Sequence, residues 1–458
     1  MTGSNLIPGS VSERGNFYRS LITLALPISL QEMVSFLVNF VNNIMVGRLG
    51  DLAISGVFIG NQIHSMVQII IDGVGASLVI LGTQYWGKKD TASIRSLTSI
   101  CIRVVLAAGG FFTIVTVFFT RHVVGILSDR PDVIESATSY VRIVGITFVF
   151  FSLSQLLVAA QRSVEKVRFG MNVALVTLGI NICLNYILIF GKLGLPALGI
   201  RGAAIATLTS RIIEFTIVVT YTLRFDKRIG LSLKDLKIID RFLGRSLVKY
   251  GTPVVAGTIV WAANSFAYTT IVGRFPANVI ASFNIAGMMN TLVYIWMTGL
   301  AAAVGIMTGK LVGSGAGLEQ IKPYSYRVQR FFLGVGLVTG LFVIFFRNVL
   351  ISMYAISPEA VQIARQLLIV HAITMMGTSY QMPGLGGLVK AGGNVSFVFR
   401  NDTIFVFLVV IPSSIIALVL DAPPWIVFAC LKCDQVLKCF VAVVVINRFR
   451  WIKNLTKG

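Results

Sequence analysis

Apolar residues recur along this chain in runs of eighteen or more, separated by short loops that hold most of the charge. At about 1.5 Å of rise per residue, each run is long enough to cross a hydrocarbon core of about 30 Å. The pattern predicts an all-α polytopic membrane protein with twelve transmembrane helices. They are expected over residues 19–45, 53–83, 97–120, 137–161, 167–190, 199–223, 246–272, 278–309, 328–349, 361–389, 398–420 and 424–447. The first run is too long, and too poor in small residues at its end, for a secretory signal, so no cleaved leader is expected.

Composition agrees. Hydrophobic residues make up 55 % of the chain and charged ones 12 %, where soluble domains carry about a quarter charged. A net charge of +21 in a soluble protein would suggest nucleic acid. Here the basic residues sit in loops, about 26 on the side that holds both termini and about 8 on the other, which is the positive-inside asymmetry. No nucleic-acid partner is expected. The lipid bilayer of the cell (inner) membrane is, with both termini and the 224–245 loop in the cytoplasm. Leu231, Leu233, Leu236, Ile238 and Ile239 predict a short amphipathic helix in that loop.

The loop divides two copies of one plan, residues 1–223 and 246–458, each a six-helix bundle. Pro27 matches Pro253, Gly47-Arg48 matches Gly273-Arg274, and Ile54, Gly87 and Gln155 match Ile280, Gly313 and Gln381, each pair 226 positions apart. Pro131 best matches Pro358, a one-residue slip. With six spans per copy, both insert the same way up. A pseudo-two-fold axis along the membrane normal is then expected, an arrangement of some secondary transporters with substrate bound near the midplane.

Several stretches together resemble one family. P-x-x-x-Q followed by V-N-N-I-M-V-G-R-L-G-D-L-A-I-S-G-V resembles the first-span signature of the MATE (multidrug and toxic compound extrusion) transporters. So do T-Q-Y-W-G-K-K-D closing the second span, G-I-R-G-A-A-I-A-T opening the sixth, Lys390-Ala-Gly-Gly-Asn394 with Asp402, and the ending R-F-R-W-I-K-N-L-T. The resemblance implies two six-helix bundles around a cleft and export of organic cations driven by inward H⁺ or Na⁺. It also exposes departures. The family's usual first-span Asp is Asn42 here, its fifth-span pair is Asn181 and Asn185 with Thr207 nearby, and the seventh and tenth spans carry no acid.

Two ion sites follow from the residues that remain. Asn181 and Asn185, one turn apart, can meet Asn42 and offer Na⁺ oxygen ligands without negative charge; equally, such amides simply bond helices together. A proton needs a carboxylate. Among the intramembrane acids, Glu214 and Asp434 have local basic neighbours in Arg211 and Lys438. Glu32 has none within one turn, and counted along its helix it lies about 20 Å from the cytoplasmic end, level with Asp72 of the antiparallel neighbour. Glu32, with Asp72, is therefore expected to replace the missing Asp as the coupling acid; the competing reading pairs Glu32 with a distant Arg or Lys. Pro27 removes a backbone hydrogen bond and allows its helix to bend; the resemblance implies a hinge there, with a static kink as the competing reading. Gln31, Asn39, Gln155, Gln381, Tyr268 and Trp261 are expected to line the substrate cleft, with aromatic faces for a flat cation.

No cofactor is expected beyond the coupling ion. The histidines (His64, His122, His371) are scattered, the Gly-rich stretches lack the order of a phosphate loop, and the five cysteines, Cys430-x-x-Cys433 included, read as small residues in apolar runs. A membrane enzyme is thereby disfavoured. The expectation is a monomeric antiporter for amphipathic organic cations. A lipid-linked oligosaccharide flippase of the same superfamily and an uncoupled facilitator stand as alternatives.

Overall fold

The computed structural model describes residues 11–237, 240–354 and 356–456. It is helical, and among the described residues there is no β-strand. The spans fall where the hydrophobic pattern puts them. The first six are Val11–Gly47, Asp51–Gly87, Thr91–Phe118, Pro131–Val144 with Thr147–Ser163, Val167–Phe190 and Gly199–Phe225. The second six are Arg241–Val272, Ala277–Gly313, Leu318–Ser352, Pro358–Val389, Val395–Val419 and Pro424–Asn447. Ten of them are helices long and apolar enough to cross a membrane, and the bent fourth makes eleven. The twelfth has the length, 24 residues, but Lys432, Asp434 and Lys438 fall in its middle and interrupt the apolar run.

Local chemistry explains the breaks. The fourth span turns by 49° at Gly145, whose Cα lies so close to Thr116 that a Cβ would meet its hydroxyl at 2.3 Å. The Thr113 hydroxyl donates to the Gly145 carbonyl (2.9 Å), so a carbonyl freed by the bend keeps a partner. The tenth span widens into a π-helix over Met382–Val389 around Pro383, whose missing N–H the wider turn accommodates. Pro27 and Pro253 sit inside unbroken helices.

By contact the described residues fall into two units. The N-terminal unit is Leu30–Gly82 with Asp90–Val255; the C-terminal unit is the chain up to Ser29, Thr83–Lys89, and Ala256 onward. In both copies the first helix changes unit two residues after its proline, at Ser29 and at Val255, positions again 226 apart. Small residues are the cause. Within the C-terminal unit, Gly299 packs so tightly on Ser29 that a Cβ would lie 2.0 Å from its hydroxyl oxygen. Within the N-terminal unit, the Ser77 hydroxyl reaches the Gly251 carbonyl (3.4 Å).

The end of the second span and the end of the eighth meet inside the C-terminal unit in a self-matching way. A Cβ on Gly87 would strike the carbonyl oxygen of Lys310 at 2.1 Å, and one on Gly313 that of Gln84 at 1.9 Å. Adding 226 to Gln84 and Gly87 gives Lys310 and Gly313. The two contacts exchange under the repeat, as a two-fold axis requires.

The resemblance motifs near the end of the chain form a latch. Trp451 is fully buried and lies against Gly392, where a side chain would overlap its ring. Gly393 takes φ +105°, and Lys453 N–H donates to the Gly392 carbonyl (2.7 Å). Gln84 closes the latch, donating to Ala391 O (3.0 Å) and accepting from Leu455 N–H (2.7 Å).

The 224–245 loop forms no amphipathic helix over its described part. It has a single 3₁₀ turn, Asp235–Lys237, because Ser232 N–H bonds to the Asp235 carboxylate (2.7 Å) and Lys234 N–H to the Ser232 hydroxyl, local bonds that compete with a helix. Leu231 is buried and Leu233 exposed. Ile238 and Ile239 lie outside the described residues. The loop is tied to the third span through backbone carbonyls, with Ser99 donating to Asp235 O (2.9 Å) and Arg103 to Leu236 O.

Candidate functional site

The N-terminal unit holds two polar clusters. In the first, the Asn185 amide donates to Asn42 Oδ1 (2.6 Å) and to Asn181 Oδ1 (2.9 Å). Asn181 donates to the Ser210 hydroxyl (3.3 Å), which donates to Ala206 O (2.7 Å). The three expected amides do come together. Asn181 and Asn185 are buried, and the chain of bonds adds Ser210, which sequence reasoning missed in favour of Thr207. Thr207 bonds back to Ala203 O (2.9 Å). Ser210 lies one turn beyond Thr207 on the same helix, the only signal that pointed to it. The arrangement supplies oxygen atoms and no charge.

The second cluster surrounds Glu32, and here two expectations change. Arg162, from the far end of the fourth span, donates to Gln31 Oε1 (2.9 Å) and approaches Glu32 Oε1 (3.4 Å). Glu32 therefore has a basic partner, and Gln31 is part of this cluster, buried against Gly170 rather than free in a cleft. Arg162 is the penultimate residue of its helix, so Glu32 lies within an arginine's reach of that helix end. Its own helix begins at Val11, ahead of the expected start near Arg19. Asp72 lies within electrostatic range of both Glu32 and Arg162 and takes a hydrogen bond from the Gln68 side chain. Two carboxylates thus stand against one guanidinium.

Other expected residues scatter. Gln155 donates to Glu214 Oε1 (3.2 Å), and Glu214 is paired with Arg211 (2.6 Å) as the spacing predicted. Asn39 is exposed. His64 stacks among Phe148 and Phe151, and His371 is wholly buried. The cysteines are all free; Cys101 is buried, Cys183 exposed. Among the described residues no group of three His, Cys, Asp or Glu side chains is placed to hold a metal.

The C-terminal unit contains a cavity of about 450 Å³ lined entirely by its own residues. Three of the expected cleft residues, Trp261, Tyr268 and Gln381, border it, with Tyr294. The π-helical stretch of the tenth span forms one wall, between Gln381 and Lys390. Gln381 donates to Gln435 Oε1 (2.9 Å), which also takes the Thr378 hydroxyl (3.1 Å). This repeats the plan of the first copy, where Gln155 of the fourth span reaches an acceptor on the sixth.

Charge separates this cavity from both N-terminal clusters. Lys438 bridges Asp434 (3.0 Å), as the i, i+4 spacing predicted, and also Asp402 (2.9 Å) of the eleventh span. Asp434 accepts from Gln435 as well (3.0 Å to each oxygen). Lys390 and Lys432 complete the lining, with Lys432 Nζ 5.4 Å from the centre of the Tyr268 ring. Sequence reasoning treated Asp434–Lys438 as an isolated structural pair. Four polar residues in seven positions, 432–438, inside an otherwise apolar run were the signal it passed over.

These observations define a polytopic membrane protein built from two repeated six-helix bundles with polar clusters inside each. The comparisons agree with that class. The family model MatE matches residues 27–187 and 253–421, and the chain belongs to the MatE family. Among curated relatives, it is 24 % identical over 381 residues to the multidrug resistance protein PmpM of Pseudomonas aeruginosa, covering 81 % of this chain and 78 % of that one. It is 25 % identical over 383 residues to the multidrug resistance protein MdtK of Yersinia pestis, covering 81 % of each. Among solved structures, a MATE in complex with MaL6 superposes with a TM-score of 0.85 at 17 % identity, covering 96 % of this chain and 97 % of the other. An outward-facing multidrug resistance MATE transporter of the MOP superfamily gives 0.82 at 16 % identity, with the same coverage. At these identities the structural likeness establishes the fold.

Proposed function

We propose that this protein is a secondary active antiporter that expels amphipathic organic compounds across the cell membrane, by alternating access between its two repeats, in exchange for protons. Membership of the MatE family and the multidrug resistance names of its relatives support export of more than one compound. The organic cation expected from the resemblance is one class of candidate. The basic loops support cytoplasmic termini, and a monomer with the membrane as its only obligatory partner is the simplest assembly.

The observation that carries the coupling is the Glu32–Asp72–Arg162 cluster. Arg162 balances one carboxylate, leaving one negative charge in surplus that a proton cancels. Loss of that proton restores the attraction between carboxylates and guanidinium, so protonation changes how firmly the first, second and fourth spans hold one another. Pro27 stands five residues before Glu32 on the same helix, where a missing backbone bond eases bending.

A second reading has its own observation. Asn42, Asn181 and Asn185 lie within hydrogen-bond reach of one another and offer a hard cation oxygen ligands, which favours Na⁺. Efflux of a fluorescent compound from proteoliposomes, under an imposed pH or Na⁺ gradient, separates the two. The expected result is efflux driven by the pH gradient, abolished in Glu32→Gln and in Asp72→Asn. Efflux driven only by Na⁺ and unchanged in both variants would overturn the proton reading and favour the amides.

A further inference from the structure

We infer that the cavity of the C-terminal unit is a binding site for aromatic compounds that carry a carboxylate, a selectivity built on Lys432 and Lys390. The inference deepens the exporter reading, since it names a head group for the compounds expelled, and it rests on that reading only for the consequence in transport.

The argument begins with how charge is distributed around the cavity. Its lining contains three ammonium groups, on Lys390, Lys432 and Lys438, and two carboxylates, on Asp402 and Asp434. Both carboxylates are engaged by Lys438, at 2.9 and 3.0 Å, and Asp434 by Gln435 besides. The ammonium groups of Lys390 and Lys432 enter no ion pair or hydrogen bond among the described residues. When all three lysines are protonated, one positive charge is in surplus, since Lys438 already pairs with both acids.

A cation within a membrane bundle is costly, by several kcal/mol, and such residues face a cavity or a partner. Here they face a cavity of about 450 Å³, within the range of sites for small organic molecules. An anion is the ligand that relieves the surplus. Lysine suits this because its ammonium is a compact point charge on a flexible stem, able to follow carboxylates placed differently on different molecules. The same lining supplies aromatic surface. Trp261, Tyr268 and Tyr294 line the same space, and Trp261 is 57 % exposed, so its indole is available to a flat ring system. Tyr268 joins the two elements, lying beneath Lys432 at 5.4 Å, so a compound stacked there brings its carboxylate to the ammonium. Gln381 and Gln435 are bonded to each other and leave head-group recognition to the lysines.

The test is equilibrium binding to the purified full-length protein in nanodiscs, in gluconate buffer so that chloride does not occupy the lysines. Two probes share one aromatic body and differ in head charge, 1-pyrenebutyrate and the corresponding pyrenebutyl-trimethylammonium. The expected result is that the carboxylate binds at least about tenfold more tightly. Lys432→Gln and Lys390→Gln should each weaken the carboxylate by about tenfold while leaving the ammonium probe as tight or tighter, which also certifies that the variants are folded. Lys432→Arg should retain most of the affinity, because the charge stays. Tighter binding of the ammonium probe, equal binding of both, or carboxylate affinity unchanged in both Gln variants would each overturn the inference. Binding of neither probe would overturn it as well. None of these outcomes touches the gradient-driven efflux assay, so the exporter reading stands or falls separately.

Discussion

The amide cluster of the N-terminal unit and the charged cavity of the C-terminal unit descend from copies of one plan, yet they solve the burial of polar groups in opposite ways. In the first, Asn42, Asn185, Asn181 and Ser210 satisfy one another in a line without any net charge. In the second, Lys438 holds Asp402 and Asp434 together and leaves two further lysines facing open space. Neutral amides give up little when one is lost, because each still finds partners along the helix. A charge triad gives up a great deal, because removing the central cation strands two carboxylates in a low-dielectric setting. Sequence symmetry therefore did not preserve electrostatic symmetry between the amide cluster and the cavity.

The largest expected effect breaks the charged half of this contrast. Lys438→Met should destabilise the purified protein by about 3–5 kcal/mol, the usual cost of removing one partner from a buried ion pair. Adding Asp434→Asn should restore part of that loss. Thermal unfolding in detergent measures both, and a single variant as stable as the wild type would mean that the triad carries no structural weight.

An intermediate effect comes from a second charged group, at the edge of the N-terminal unit and outside the spans. Asp226 is buried and accepts from Lys166 Nζ (2.7 Å), Gln161 (2.9 Å) and the N–H groups of Arg228 and Ile229. Burial pushes its carboxyl up, but the bonds from Lys166, Gln161 and Arg228 outweigh this and hold it below the ordinary aspartate range. Desolvation likewise pulls Lys166 down, while Asp226 and Tyr221 more than reverse it and raise it. The aspartate's contribution is present above the unfolded value of about 3.9 and fades as pH falls through its lower folded value. The lysine's is present below about 10.4 and fades as pH rises through its higher folded value. Melting temperature across pH should thus show a plateau between these limits, and Asp226→Asn should lower the unfolding free energy by about 1–3 kcal/mol while removing the acid limb assigned to this group. A variant with an unchanged acid limb would assign that limb elsewhere.

The smallest effect belongs to the amides. Asn185→Ala should cost about 0.6 kcal/mol, typical of an interhelical hydrogen bond in a membrane, and Na⁺ should leave the wild-type melting temperature where it is. A rise with Na⁺ that disappears in the variant would turn the amide cluster from a structural contact into an ion site.

The order of the spans, the repeat and the family were legible in the sequence because they depend on quantities a single strand displays. Span length follows from bilayer thickness, polarity of the loops from the cost of moving charge through lipid, and the copy relation from residues that recur 226 positions apart. The i, i+4 pair Asp434–Lys438 and the i, i+3 pair Arg211–Glu214 were legible for the same reason, since one helical turn brings each together. The meeting of Asn42 with Asn185 was legible only through resemblance, and its partner Ser210 was not.

What the tertiary structure alone decided are contacts between residues far apart in the chain. Arg162 reaches Glu32 across 130 positions, and nothing in the local sequence of either announces it. Asp402 joins Lys438 from a different helix, which turns a local pair into a triad and leaves Lys390 and Lys432 as the cavity's unbalanced charges. The first helix of each copy changes unit after its proline because glycine and serine at distant positions allow backbones to touch. Local periodicity sets which face of a helix is polar. Which other polar face it meets depends on packing among twelve helices, and that pairing fixes the charge of each site.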